Sequence, residues 1–372
     1  MSFESRDLGR ARIRFFGYPA KRLANALGRF DGELRSAPAV HEFEDVLFQP
    51  GKRCLYDASG RRIEESRLRW IDPDAPDTEG RRAKFRELEL REEPETIVPP
   101  ADPIRVRKPH AYLGELKLHY GHFLTDGLSR AWLVDRISPE MRVFFLRDSP
   151  QALAARHVAW FLEHAGLAGR SRAVSRPLRF DRVVCPAPAL QQANRVYAEF
   201  DIPHRRAAAA ANRGQAPDRP IYLSRRELGL GHRGILREDE LEARLEREGF
   251  AVAHPDRLSL DEQVMLFEHD HPVVAPMGSA LHTVLFRTRP QPARLAAITP
   301  NDIPGRFPLA DMVKGSDSLY VNGLVEATGA PEPNALALSQ RAWRIDVDLV
   351  MAALDAAGLL GRRRPPIAPG RV

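Results

Sequence analysis

Cysteine is nearly absent from the 372-residue chain: Cys54 and Cys185 are the full complement, far apart and outside any Cys-x-x-Cys or Cys/His spacing. That excludes a disulfide framework and a cysteine-ligated zinc centre, and leaves both as small buried apolar residues. Long apolar runs are missing as well. No stretch of about 18 uninterrupted apolar residues occurs, and the opening MSFESRDLGRARIRFF carries charge where a secretion signal needs its apolar segment. The expectation is a cytoplasmic protein, with peripheral membrane contact left open. Lysine is scarce: of the 56 basic residues only 6 are lysine, against 50 arginines in an alanine-rich background, the composition of a GC-rich coding bias. The net charge of +6 is therefore discounted as a sign of a nucleic-acid partner. Individual arginines keep their interest, because the guanidinium fork matches phosphates and carboxylates.

What is present is a globular composition, 43% hydrophobic and 28% charged, on a length that accommodates two domains. KRCLYDASGRRI (52–63) reads as two short strands about a turn at Asp57, Ser59 and Gly60, and EEPETIVPPADP (92–103) as a linker. A helix is expected from Tyr120 to Arg136, a buried strand at MRVFFL (141–146), a helix at 151–164 and a strand at DRVVC (181–185). After an Ala/Arg/Pro-rich stretch at 203–219 a cleaner alternation follows. Strands IYLS, FAVA, PVVAP and ARLAAI are separated by helices at 237–249, 259–269 and 279–286. Repeated strand-helix units predict two Rossmann-like α/β domains. The expected division is 1–200, 201–344, a helix at 345–360 returning to the first domain, and a disordered tail at 361–372.

Four constellations carry candidate chemistry. In HYGHFLTDGLSR (119–130), His122, Asp126 and Arg130 lie four apart, so on a regular helix they share one face. They form either a solvated stripe with an Asp126–Arg130 ion pair or a catalytic face on which Asp126 or His122 is a general base. Metal ligation by His119 and His122 lacks the His-Glu-x-x-His pattern, and no metal is expected. GLGHRG (229–234) matches Gly-x-Gly-x-x-Gly, but four residues separate it from the strand, which weakens a dinucleotide reading. Arg225 and Arg226 close a strand where ligands of open α/β sheets bind. PMGSALHTVLF (276–286) turns through Gly278 and Ser279 into a helix amino end, a place for an anion. The segment SLDE (259–262) is a capping box.

Taken in order, HYGHFLTDGLSRAWLV, IYLSRR, Arg237 with Glu238, LSLDEQ and PMGSALHTVLF resemble glycosyltransferase family 61, its bacterial branch most. Many members carry His-Gly-Ala where this chain has Met277, Gly278 and Ser279, with His282 in the helix behind. The resemblance implies a GT-B architecture, two Rossmann-like domains facing across a cleft. It also implies inverting, metal-independent transfer from a nucleotide sugar, usually a UDP-sugar, to a glycan acceptor such as a surface polysaccharide, with no cofactor. On that reading Asp126 is the base, with His122 orienting or replacing it, and Arg225, Arg226, Arg233, Gly278, Ser279 and His282 bind the donor. Two alternatives stand beside it: a homologue without catalysis that binds glycan or assists assembly, and a nicotinamide-dependent oxidoreductase using GLGHRG.

Overall fold

The structure is a computed structural model that describes residues 3–20, 23, 33–68, 91–146, 150–191, 195–211, 214–228, 235–300, 303–327 and 343–360. Two larger sheets carry the α/β fold. The first has six strands. Val40–Phe48, Leu178–Pro186, His110–Glu115, Arg142–Leu146 and Ser171–Val174 lie side by side in that order, and Ile104–Val106 also pairs with Leu178–Pro186. All its pairings are parallel except that of Val40–Phe48.

The second sheet has seven strands, ordered Glu4–Leu8, Ala11–Phe16, Asp317–Val321, Arg294–Ile298, Val273–Pro276, Ile221–Leu223, Ala251–Ala253. Its last five are mutually parallel. Numbered by chain order, these five run 2-1-3-4-5 across the sheet, with the reversal between Ile221–Leu223 and Val273–Pro276. In doubly wound sheets that reversal opens a crevice at the carboxyl ends of the two strands. A three-stranded sheet of Ile235–Leu236, Trp343–Ile345 and Leu324–Glu326 stands apart.

Local chemistry sets the elements. The expected capping box closes, with Ser259 Oγ accepting from Glu262 N at 3.2 Å and Glu262 returning the contact to Ser259 N at 2.7 Å. Gly249 adopts φ +88°, the left-handed conformation that ends the helix Glu238–Arg247. The turn expected at Asp57–Gly60 forms, but around isolated bridges instead of full strands. Part of the Ala/Arg-rich stretch is a helix, Asp201–Ala210, since alanine is the best helix former and Asp201 meets the amino-terminal dipole.

Two expectations about the ends of the chain are corrected. The first strands do not join the first sheet: Ala11–Phe16 pairs in parallel with Asp317–Val321 and extends the second. The C-terminal helix Val347–Ala356 does not return to the first half. Its apolar face, Val347, Val350, Met351 and Leu354, packs with Tyr222, Val274, Ile298 and Val321 on the second sheet. That sheet needs cover on both faces, and the apolar stripe of this helix supplies it. The tail at 361–372 lies outside the described residues.

The halves share one core. Leu113, Phe123, Trp132 and Phe161 of the first belong to the same apolar cluster as Ile221, Leu285, Phe286 and Tyr320 of the second. Each fully buried Leu or Phe contributes about 1.5–3 kcal/mol, against roughly 0–1 kcal/mol for a surface ion pair. The shared apolar layer therefore fixes the two halves against each other, and with them the walls of the site.

A basic cleft at the sheet reversal

Tyr120–Arg136 is not the regular helix expected from its periodicity. One α-turn, Tyr120–His122, runs into a π-turn, Phe123–Gly127, and then a 3₁₀ segment, Ala131–Asp135. The wider turn is held by Thr125 Oγ1 donating to Gly121 O at 2.8 Å and by the His204 ring, 3.0 Å from Leu124 O. Single π-turns inside helices recur at functional sites. Here it alters which residues share a face. His122 Nδ1 remains 2.9 Å from Asp126 Oδ2, but Arg130 swings inward, only 1% exposed. Arg130 donates to the carbonyls of Pro186, Glu65 and Arg67 and lies over the Tyr112 ring. The expected Asp126–Arg130 ion pair does not form.

Asp126 has another cation. Arg306, at the start of the helix Arg306–Lys314, grips it with both forks, Nε to Oδ1 at 3.1 Å and Nη2 to Oδ2 at 3.0 Å. Burial alone raises the Asp126 carboxyl, but the His122 hydrogen bond and the Arg306 charge outweigh it and hold the group at about 2. A carboxylate so stabilised is a feeble base at neutral pH. Being ionised, it can only accept, so His122 Nδ1 carries the proton that bonds to it. In the neutral form of that imidazole the lone pair is then on Nε2, and the ring is 46% exposed.

A cleft of about 430 Å³ opens beside this pair at the sheet reversal, and its wall includes His119, His122, Arg225, His282 and Arg306. No acidic side chain lines it among the described residues. The rest of the wall is apolar or small: Ile235, Leu324, Trp343, Phe307, Pro300, Pro304, Gly121, Met277, Gly278 and Ser279. A second chamber of about 320 Å³ continues from it past His119, Arg225, Gly278 and Ser279 to Ser224, Pro255 and Asp256. Arg225 thus stands between the two.

The turn after Ile221–Leu223 aims Arg225 and Arg226 in different directions. Buried Glu238 accepts from Arg225 N at 2.8 Å and from Tyr222 OH at 2.9 Å. Glu242 accepts from Ser224 Oγ at 2.6 Å and pairs with Arg226 Nη1 at 3.0 Å. Arg225 Nη1 donates to Met277 O at 3.3 Å and lies 3.3 Å from where a Cβ on Gly278 would stand. Arg226 points out of the cleft, against expectation, because Glu242 competes for it. Gly278 has φ −176°, extended backbone open to any residue, and a side chain there would make the Arg225 guanidinium give way by a few tenths of an ångström. Ser279–Phe286 forms a 3₁₀ helix with Gly278, which has no side chain to cap it, at the N-cap position, and Ser279 is its first residue.

His282 stacks on Phe307 at 4.2 Å, and burial drives its ring down to about 3, so it is neutral. Gly121 packs against this helix so closely that a Cβ would lie 3.0 Å from Ser279 Oγ and 3.1 Å from His282 Cδ2. Arg233 and GLGHRG lie outside the described residues. Of the expected set, His122, Arg225, Gly278, Ser279 and His282 line one cleft, with Asp126 directly behind His122. Sequence reasoning missed Arg306 and Glu238. Glu238 carried a signal, an acidic residue at a helix start beyond a strand that ends in Ser-Arg. Arg306 carried none among 50 arginines. Among the described residues no group of three or more His, Cys, Asp and Glu is arranged to hold a metal ion, and no helix is long and apolar enough to cross a membrane.

The sequence model of a family described as Glycosyltransferase 61 matches residues 120–295. That segment begins at the turn bearing His122 and Asp126 and runs through Arg225, Gly278, Ser279 and His282. The match supports kinship with the family over a segment that supplies part of the cleft wall, while His119, Arg306, Phe307, Leu324 and Trp343 lie outside it. No curated protein matches the chain.

Proposed function

We propose, from that kinship and from the cleft, that the protein is an inverting glycosyltransferase moving a sugar from a nucleotide sugar, a UDP-sugar on the resemblance, to a glycan acceptor. The observation that carries the reading is the composition of the cleft wall: among the described residues it has two arginines and three histidines and no carboxylate of its own, Asp126 standing behind it. Such a wall suits a diphosphate, whose charge grows as the glycosidic bond breaks. Arg225, between the chambers, is the side chain for that charge, and Arg306 adds a second. The chamber at Ser224, Pro255 and Asp256 takes the nucleoside, and the larger one takes the sugar and the acceptor.

His122, not Asp126, is the base. Its Nε2 takes the acceptor hydroxyl proton as the oxygen bonds to the anomeric carbon, and the bond from that carbon to the diphosphate breaks on the opposite face. Asp126 holds the imidazole in the tautomer this requires and stabilises the imidazolium that forms, while Arg306 keeps Asp126 ionised and in place. The donor is a substrate, and no cofactor or metal takes part in the scheme. A bacterial surface polysaccharide is the acceptor class the resemblance favours.

Titration calorimetry with UDP tests the donor half. Wild type is expected to bind with unchanged affinity in EDTA, and Arg225→Ala to bind about tenfold or more weakly through loss of a charge-assisted contact. Binding that needs added manganese, or equal binding by the variant, contradicts this arrangement.

A further inference from the structure

Next to the cleft, across His282 and Phe307, lies a small space of about 20 Å³ bounded by Leu281, His282, Phe307, Asp311, Ser318 and Tyr320, among others. That is room for one water, and a buried water needs two to four polar partners. His282 borders both this space and the cleft. It is 4% exposed, and its Nδ1 is buried with no hydrogen-bond partner. Asp311, 3% exposed, accepts from Ser318 Oγ at 2.8 Å and Tyr320 OH at 2.6 Å, and the buried Ser316 is a third hydroxyl acting on it. A carboxylate offers about four acceptor positions, so Asp311 has capacity for a further donor. The two groups sit on opposing elements. Phe307 and Asp311 are four apart on one face of Arg306–Lys314, and that face packs on Ser279–Phe286.

We propose that this cavity holds one internal water through which Asp311 fixes the tautomer of His282: Nδ1–H donates to the water, and the water donates to the carboxylate. The polarity follows from the ends of the chain. The imidazole is neutral, with one donor and one acceptor nitrogen, whereas Asp311, raised by burial to about 6, is ionised at neutral pH and accepts only. Nε2 is then left with a lone pair toward the cleft. The Phe307 stack, at an interplanar angle of 19°, holds the ring in that plane. An acceptor nitrogen receives a hydrogen bond from a hydroxyl, and on the nucleotide-sugar reading, on which this last step rests, the hydroxyl belongs to the transferred sugar. Asp311 is thus a positioning residue acting through His282.

Long-range ¹H–¹⁵N correlation at pH 7.5 reads the tautomer directly, with His282 assigned from the signals lost in His282→Gln. The expected wild-type pattern is Nδ1–H in excess by about fivefold, the preference given by one neutral hydrogen bond. Asp311→Asn, whose amide donates where the carboxylate accepted, is expected to lower that ratio tenfold or more. Rotating-frame cross-relaxation in wild type should also link His282 Hδ1 to a bound water. An Nε2–H ring in wild type, no water cross-peak, or a folded Asp311→Asn with the wild-type ratio each overturns the proposal. The wild-type measurements decide even if the variant does not fold. None of them uses a nucleotide sugar, so failure of the glycosyltransferase reading is separately visible in the UDP titration.

Discussion

Asp126 shows how burial and two neighbours decide what one side chain does. Burial pushes its carboxyl up, but His122 and Arg306 together bring it to about 2. On the proposed reaction the group therefore orients an imidazole instead of taking a proton. Asp126→Asn keeps the size of the side chain and offers His122 an amide, so turnover should fall by up to about 10⁴, the effect of removing the carboxylate that fixes a catalytic imidazole's tautomer, with UDP affinity near wild type. Steady-state kinetics beside calorimetry separate the two effects. Near-normal turnover would leave Asp126 no more than a partner of Arg306. Arg306→Lys tests the grip itself: one charge remains but the bidentate fork is lost. Turnover should drop at least several-fold while the protein stays folded by circular dichroism. At this scale the sequence was half legible. The His-x-x-x-Asp spacing and the Arg after a strand mark their residues, whereas Arg306 approaches Asp126 from 180 positions away, and no local pattern encodes such a contact.

Between elements, one tight constraint on the site is the crossing of Tyr120–His122 over Ser279–Phe286, joined by Tyr120 OH and Thr283 Oγ1 at 3.0 Å. Gly121 sits at the crossing with no room for a side chain. Gly121→Ala should destabilise the fold by about 1–3 kcal/mol, the range for overpacking a well-filled contact, and displace His282. Denaturant unfolding measures the first effect and donor affinity the second, and a variant indistinguishable from wild type in both would show the crossing to be loose. The strand-helix alternation was legible because buried parallel strands and amphipathic helices have distinct periods. The π-turn was not. Its apolar residues keep helical spacing, and the irregularity comes from tertiary hydrogen bonds made by Thr125 and His204. The placement of Ala11–Phe16 beside Asp317–Val321 was equally hidden, since strand pairing over 300 residues leaves no local trace.

At the scale of the molecule, buried histidines set the response to acid. Burial drives His282 down to about 3 and His204 and His269 to about 4, so the folded form excludes protons that the unfolded chain binds below its ordinary histidine range. Asp311, raised by burial to about 6, works in the opposite sense. At pH 5 the three histidines take up three protons on unfolding and Asp311 releases one, a net uptake of about two. Stability should therefore decline as pH falls from about 6.5 toward 4. Urea titrations across that window check this, and a flat profile would contradict it. The central claim, a nucleotide-sugar transferase with His122 as base, is tested most directly by one assay. Wild type and His122→Ala are incubated with a panel of nucleotide sugars and oligosaccharide acceptors, and released nucleoside diphosphate is measured. The account predicts acceptor-dependent release from at least one donor by wild type, reduced about 10²–10⁴-fold in His122→Ala with UDP affinity retained. Release at the wild-type rate by the variant, or no release from any donor, would contradict it.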